Sequence, residues 1–198
     1  MQRARLVVLI SFTALSLSAC GSEQVTGVDD PGVPTLQNGG FEDGSALPDH
    51  WRQGGTGLDG FILSYDADGA WEGDRCVSIS RARNTPDLYS YWAQTIPVGG
   101  SPSGLLELRA RIRTELSGEG MAMVIRGDNT AGSQGFADAF ATTQGAAPIT
   151  GSAGWTEHTL RLSNPLPSGL ESITVYLVYL SNTTGSVSFD AVELTPGS

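Results

Sequence analysis

The chain has 198 residues, with 21 aspartates and glutamates against 11 arginines and no lysine, for a formal charge of −10. That surplus makes nucleic acid and anionic lipid headgroups poor partners and leaves a neutral glycan or a divalent cation compatible. The length allows one domain that closes a core unaided, and two cysteines, Cys20 and Cys76, exclude a disulfide framework.

Arg3 and Arg5 open the chain with positive charge, and the apolar run over 6–17 that follows is too short to span a bilayer. The tetrapeptide Leu17-Ser-Ala-Cys20 resembles the bacterial lipobox, whose cysteine is acylated after cleavage before it. Residues 1–19 therefore read as a lipoprotein signal peptide. Lipid on Cys20 would tie the protein to a membrane without a spanning helix. Loss of Arg3 and Arg5 would take the charge from −10 to −12. With Gly21 rather than Asp after the cysteine, the resemblance implies the outer membrane where the cell has one. The competing reading is an ordinary secretory signal whose cleavage site happens to precede a cysteine. Residues 20–35 are rich in Gly, Ser, Asp and Pro with scattered valines, which is the composition of a tether.

From residue 36 to the C-terminus, period-2 alternation recurs in short runs separated by glycine or proline. Strands are predicted over 36–42, 60–65, 76–81, 90–98, 105–114, 121–126, 136–142, 155–162, 172–180 and 186–194. In LLELRARIRTE, Leu106, Leu108, Ala110 and Ile112 point one way and Glu107, Arg109, Arg111 and Arg113 the other. No run carries a helical stripe. About ten such strands in one domain predict an all-β fold, a jelly-roll β-sandwich of two antiparallel sheets. Cys76, in the alternating CVSISR, reads as a buried small hydrophobe.

Three segments carry a family resemblance: LQNGGFEDGSALPDHW (36–51); AWEGDRCVSISR (70–81) with YWAQTIPV (91–98); and GSVSFDAVEL (185–194). Together they resemble carbohydrate-binding modules of the CenC type, which are galactose-binding-like jelly rolls. The resemblance implies a structural calcium ion where the first and last strands meet. Its ligands would be Glu42, Asp190, a carbonyl near Gly40 and others from the loop around Glu72 and Gly73. Two carboxylates would supply most of the neutralising charge such a hard cation needs. Read from the residues alone, Glu42 and Asp190 serve equally as caps that accept main-chain N–H bonds. Ala191 stands where the family has a second Asp. DADGAWEGD (66–74) fails as an EF-hand, with Trp71 where glycine is required and Val77 where a bidentate Glu is required.

The sequence offers no Gly-x-Ser-x-Gly and no His-Glu-x-x-His. Its two histidines, His50 and His158, read as structural or surface residues. The chain is expected to bind rather than catalyse; a glycosidase would need a pair of carboxylates brought together only by the fold. Glycan recognition needs aromatic faces and planar polar groups. By the resemblance, Tyr91 and Gln94 lie in a groove across one sheet. Arg109, Arg111, Phe136, Asp138 and Phe140 complete the candidate set, with a core role for the two phenylalanines and simple charge balance for the two arginines as the competing readings. The rival function is a structural or protein-interaction module of the cell envelope, with the same fold, an envelope protein as partner and no sugar site.

Overall fold

The structure, a computed structural model, describes residues 34–58, 60–65, 69–84, 86–98, 104–128, 139–145 and 147–197. Among these, nine strands form: β1 (Arg52–Gly55), β2 (Ile62–Tyr65), β3 (Val77–Arg81), β4 (Ser90–Pro97), β5 (Leu105–Asp128), β6 (Phe140–Thr142), β7 (Ile149–Arg161), β8 (Ser172–Tyr179) and β9 (Thr183–Gly197). Every pairing is antiparallel.

β5 makes two sheets out of one ladder. Its first half pairs with β9 on one side and β7 on the other, while residues 121–128 pair with β8 and residues 124–126 with β6. One layer therefore runs β2-β3-β9-β5-β7 and the other β1-β4-β8-β5-β6. The crossing falls at Gly118-Glu119-Gly120, where Gly118 has φ of 101° and a Cβ would overlap the Asn182 carbonyl. Burial switches parity there: 106, 108, 110, 112, 114 and 116 face inward before the corner, and 121, 123 and 125 after it. A strand turned through such a corner feeds both faces of one core. That core joins Ile79, Ile112 and Phe189 of the first layer to Trp92, Met123, Val175 and Leu177 of the second. The all-β jelly-roll sandwich expected from the alternation is what forms.

Beyond shifts at strand ends, such as β7 starting at Ile149 rather than 155, three differences change the architecture. Segment 36–42 is not a strand: Asn38 and Phe41 have φ of 50° and 59°, and the segment folds into turns. Asn38 organises them, its Nδ2 donating to the carbonyls of Asp43 (2.8 Å) and Asp49 (3.1 Å) while its Oδ1 accepts from Asp43 N–H. Phe41 and Trp51 then pack in the core with ring centroids 5.0 Å apart, and Trp51 Nε1 donates to the Asn38 carbonyl at 3.0 Å. Second, 105–114 and 121–126 are one strand rather than two, for the corner keeps the ladder unbroken. Third, β1 has the sequence RQGG and carries no apolar alternation; it forms by adding to the edge of β4. Cys76 is fully buried.

Candidate functional site

On β4, Trp92, Gln94 and Ile96 point into the core, which leaves Tyr91, Ala93 and Thr95 on the outer side of the second layer. Register aligns Tyr91 with Gly54 and Val178, Ala93 with Arg52 and Tyr176, and Thr95 with Thr174; Arg126 pairs with Thr174 and with Phe140. Tyr91 stands edge-on to Tyr176 (5.2 Å between centroids, 87°) and lies nearly parallel to Tyr89 at 6.3 Å. A Cβ at Gly54 would overlap the Tyr91 ring and hydroxyl, so the glycine lets the ring lie across the edge strand. The Arg52 guanidinium sits 5.7 Å and 5.9 Å from the centroids of Tyr91 and Tyr176, and its Nη1 donates to Tyr91 Oη at 3.3 Å. Burial opposes the Arg52 charge, but the hydroxyls of Tyr91 and Tyr176 outweigh it and hold the guanidinium pKa above its usual value. Phe140 is 52% exposed at the far side of this face, beside Arg126, which pairs with Asp128 at 2.7 Å. The face thus offers aromatic rings, two planar cations and the exposed Thr95 hydroxyl, which pairs with that of the buried Thr174 at 3.0 Å.

The other expected site residues go elsewhere. Gln94 is buried, and its amide mimics a backbone partner: Oε1 accepts from Gln37 N–H at 2.8 Å and Nε2 donates to the Gln37 carbonyl at 2.7 Å. Its side chain faces away from the tyrosines because two positions of one parity separate it from Trp92, not from Tyr91. Arg109 and Arg111 lie on the outer side of the opposite layer. There Arg109 and Arg161 both pair with the buried Glu107, and Arg111 pairs with Glu157 at 3.1 Å. Phe136 and Asp138 lie outside the described residues. Tyr89, Tyr176, Arg52 and Arg126 join the face although the sequence reading passed over them.

Glu42 and Asp190 converge on one loop. Glu42 Oε1 accepts from the N–H groups of Asp74 (3.0 Å) and Arg75 (3.1 Å). Asp190 Oδ2 accepts from Trp71 (2.7 Å) and Glu72 (3.2 Å), and its Oδ1 from Ala191 (2.7 Å), whose φ of 45° turns that N–H back. Burial raises the Asp190 pKa, and the three N–H bonds work against that rise. Gly40 lies in the turn beside Glu42, and the backbones of the two terminal motifs join where Val192 N–H donates to the Gly39 carbonyl at 2.9 Å. For a calcium ion the fit is in place and charge but not in direction. Two carboxylates and the Glu72–Gly73 loop come together, yet five N–H groups point at the carboxylate oxygens where a hard cation takes oxygen donors. Among the described residues no group of three or more His, Cys, Asp or Glu is placed to hold a metal.

No protein-family model matches the chain, and no curated protein matches it by sequence. Solved structures match over most of it. The enzymatically active domain of tailspike protein 4 from bacteriophage CBA120 superposes with TM-score 0.61 and 15% identity, over 83% of this chain and 22% of that one. This chain thus spans about a fifth of the tailspike chain. A Stig cyclase from Fischerella sp. TAU, in complex with an indole compound, gives 0.59 and 16%, over 84% of this chain and 98% of that one. Carbohydrate-binding modules from the β-sandwich superfamily give 0.54 and 14%, over 78% and 60%. At such identities the likeness is one of fold: a β-sandwich used by carbohydrate-binding modules and by enzymes alike.

Proposed function

We propose that the protein is a non-catalytic glycan-binding lipoprotein whose binding surface is the outer face of the β1-β4-β8-β5-β6 layer. One observation carries this reading: Tyr91, Tyr176, Tyr89 and the half-exposed Phe140 gather on a single sheet face together with Arg52 and Arg126. Aromatic rings give a sugar its stacking surface, guanidinium and hydroxyl groups give its hydroxyls partners, and the strands fix their spacing. The carbohydrate-binding modules among the structural matches support the same use of the fold. The rival, an envelope interaction module with no sugar site, predicts aromatics buried in the core, and Phe140 at 52% exposure weighs against it.

A glycan array on the protein tests this directly. Replacing a central aromatic anchor costs about 2 kcal/mol, so Tyr91→Ala should weaken binding about 30-fold with the fold intact. Binding to no glycan, or binding indifferent to Tyr91, would overturn the reading in favour of the interaction module.

Two further parts of the reading have their own tests. Lipid on Cys20 would place the protein at the cell envelope, in the outer membrane of a diderm cell; radiolabelled fatty acid should enter the wild type and not Cys20→Ser. A structural calcium ion rests on the convergence of Glu42 and Asp190 on the 71–75 loop and requires their carboxylates to give up part of the N–H bonds they accept there. Chelation should then lower the thermal midpoint, whereas carboxylates that serve as N–H caps alone leave it unmoved.

A further inference from the structure

Arg52 stands out in a chain this acidic. Arg109, Arg111, Arg126 and Arg161 each pair with a carboxylate. Arg52 touches the rings and hydroxyls of Tyr91 and Tyr176, and no carboxylate among the described residues pairs with it. It is also held rather than free, since two rings flank it and one hydroxyl bonds to it. Of its five N–H donors, one goes to Tyr91 Oη and the Tyr176 hydroxyl also acts on the guanidinium, which leaves further donors for an incoming group. Along the outer positions of the described strands of this face the charged side chains are Arg52, Arg126 and Asp128, two cations to one carboxylate on a molecule of formal charge −10. The overall negative charge acts mainly beyond about 8 Å, where physiological salt screens it, whereas a ligand lying on the tyrosines meets Arg52 at contact distance.

We propose that the tyrosine–arginine face selects glycans built of acidic sugars, carrying a carboxylate or a sulfate ester, and that Arg52 is the receptor for that acidic group. This rests on the glycan-binding reading above and adds the ligand's charge class to it. An uncompensated guanidinium ordered by aromatic flanks has already lost its rotamer freedom, so an anion that pairs with it gains a charge-assisted contact without that entropic cost. A neutral sugar would lie on the same rings and meet the fork through hydroxyl groups alone, without an ion pair.

The test compares polymers in two pairs, each pair sharing a backbone and differing in charge. Binding of the full chain to polygalacturonate, to its methyl ester, to a neutral galactan and to a sulfated galactan is measured by affinity electrophoresis at constant ionic strength, with Arg52→Gln alongside. We expect at least one acidic polymer to bind about tenfold tighter than its uncharged counterpart, and Arg52→Gln to erase that difference. Preference for polygalacturonate over the sulfated polymer assigns the carboxylate, and the reverse assigns the sulfate. Equal binding of acidic and uncharged polymers by the wild type, or an acidic preference that survives Arg52→Gln, overturns the proposal and leaves the glycan-binding reading standing. Binding to none of the four overturns the proposal, and the glycan array decides whether the glycan-binding reading falls with it. Should Arg52→Gln fail to fold, competition on the wild type by free galacturonate against free galactose decides: equal competition refutes the role of charge.

Discussion

Replacing Gln94 separates its two conceivable roles. Its amide makes two hydrogen bonds, at 2.8 Å and 2.7 Å, to the N–H and carbonyl of Gln37, and so fastens the segment that leads into Asn38 and Phe41. Gln94→Leu keeps most of the volume and removes both bonds. Each contributes about 1 kcal/mol, and because Gln37 is itself exposed, water takes over much of the lost pairing; the expected cost is about 2 kcal/mol. For a domain of this size that lowers the thermal midpoint by about 4–8 °C. Gln94→Glu adds a check of sign. Its carboxylate keeps the acceptor but sets a second oxygen against the Gln37 carbonyl, which raises the folded-state pKa of the new group. Stability of Gln94→Glu should therefore be greatest below the ordinary glutamate value of about 4.3 and should fall as pH rises through the raised value. Differential scanning fluorimetry and glycan affinity on the same samples give the answer. Unchanged midpoints with a lost glycan affinity would refute the reasoning and return Gln94 to the binding surface.

Three other outcomes follow from the same structure. The hydrogen bonds of Arg161 and Arg109 hold the Glu107 carboxyl below its ordinary value of 4.5, so its contribution is present above that value and is lost as pH falls through the lowered one. Urea midpoints of Glu107→Gln and wild type should differ at neutral pH and converge in acid. Burial pushes the Tyr179 hydroxyl, which donates to the Gly185 carbonyl at 3.1 Å, up to about 12 from 10.0. Stability should accordingly drop as pH rises from 10.0 towards about 12, and Tyr179→Phe should flatten that alkaline limb. Gly118→Ala places a Cβ at φ 101° against the Asn182 carbonyl, and chemical denaturation should show a loss of about 1–3 kcal/mol.

What the sequence makes legible is alternation. The runs at β3, β4, β8 and β9 identify inward and outward residues before any coordinates, and from them follow the sandwich and the burial of Trp92, Val175 and Phe189. In ITVYLVY the same rule puts Tyr176 outside, between buried Val175 and Leu177, so one face residue was available to a stricter reading of parity. Which layer an outward residue belongs to is not local information. Arg111 and Arg126 sit on one strand, yet the corner at 118–120 sends them to opposite faces of the molecule. Arg52 belongs to a strand with no apolar residue, formed only because β4 offers it an edge. Glu42 and Asp190 are 148 positions apart, and only the fold brings them to the same loop.

The two outer faces use the same residue types to opposite ends. On the β2-β3-β9-β5-β7 layer, Arg111 stacks on Trp71 at 4.6 Å and Arg113 on Trp155 at 5.0 Å, and Trp155 Nε1 donates to the Gly69 carbonyl at 3.1 Å. Glu157 pairs with Arg111, and the Asp190 carboxylate anchors the backbone of Trp71 and Glu72. These aromatic–arginine contacts therefore fasten a loop to a sheet: the tryptophans have partners in the chain and Arg111 has its counter-charge. On the other layer, Tyr91 and Tyr176 flank an arginine that pairs with no carboxylate among the described residues, and Phe140 is 52% exposed. Cation–π contacts of about 0.5–1 kcal/mol at exposed sites are alike on both faces, so the contact itself does not distinguish clamp from receptor. The counter-charge does. Where glutamate supplies it the arrangement is complete, and where no described carboxylate supplies it the guanidinium is left to the acidic group proposed above.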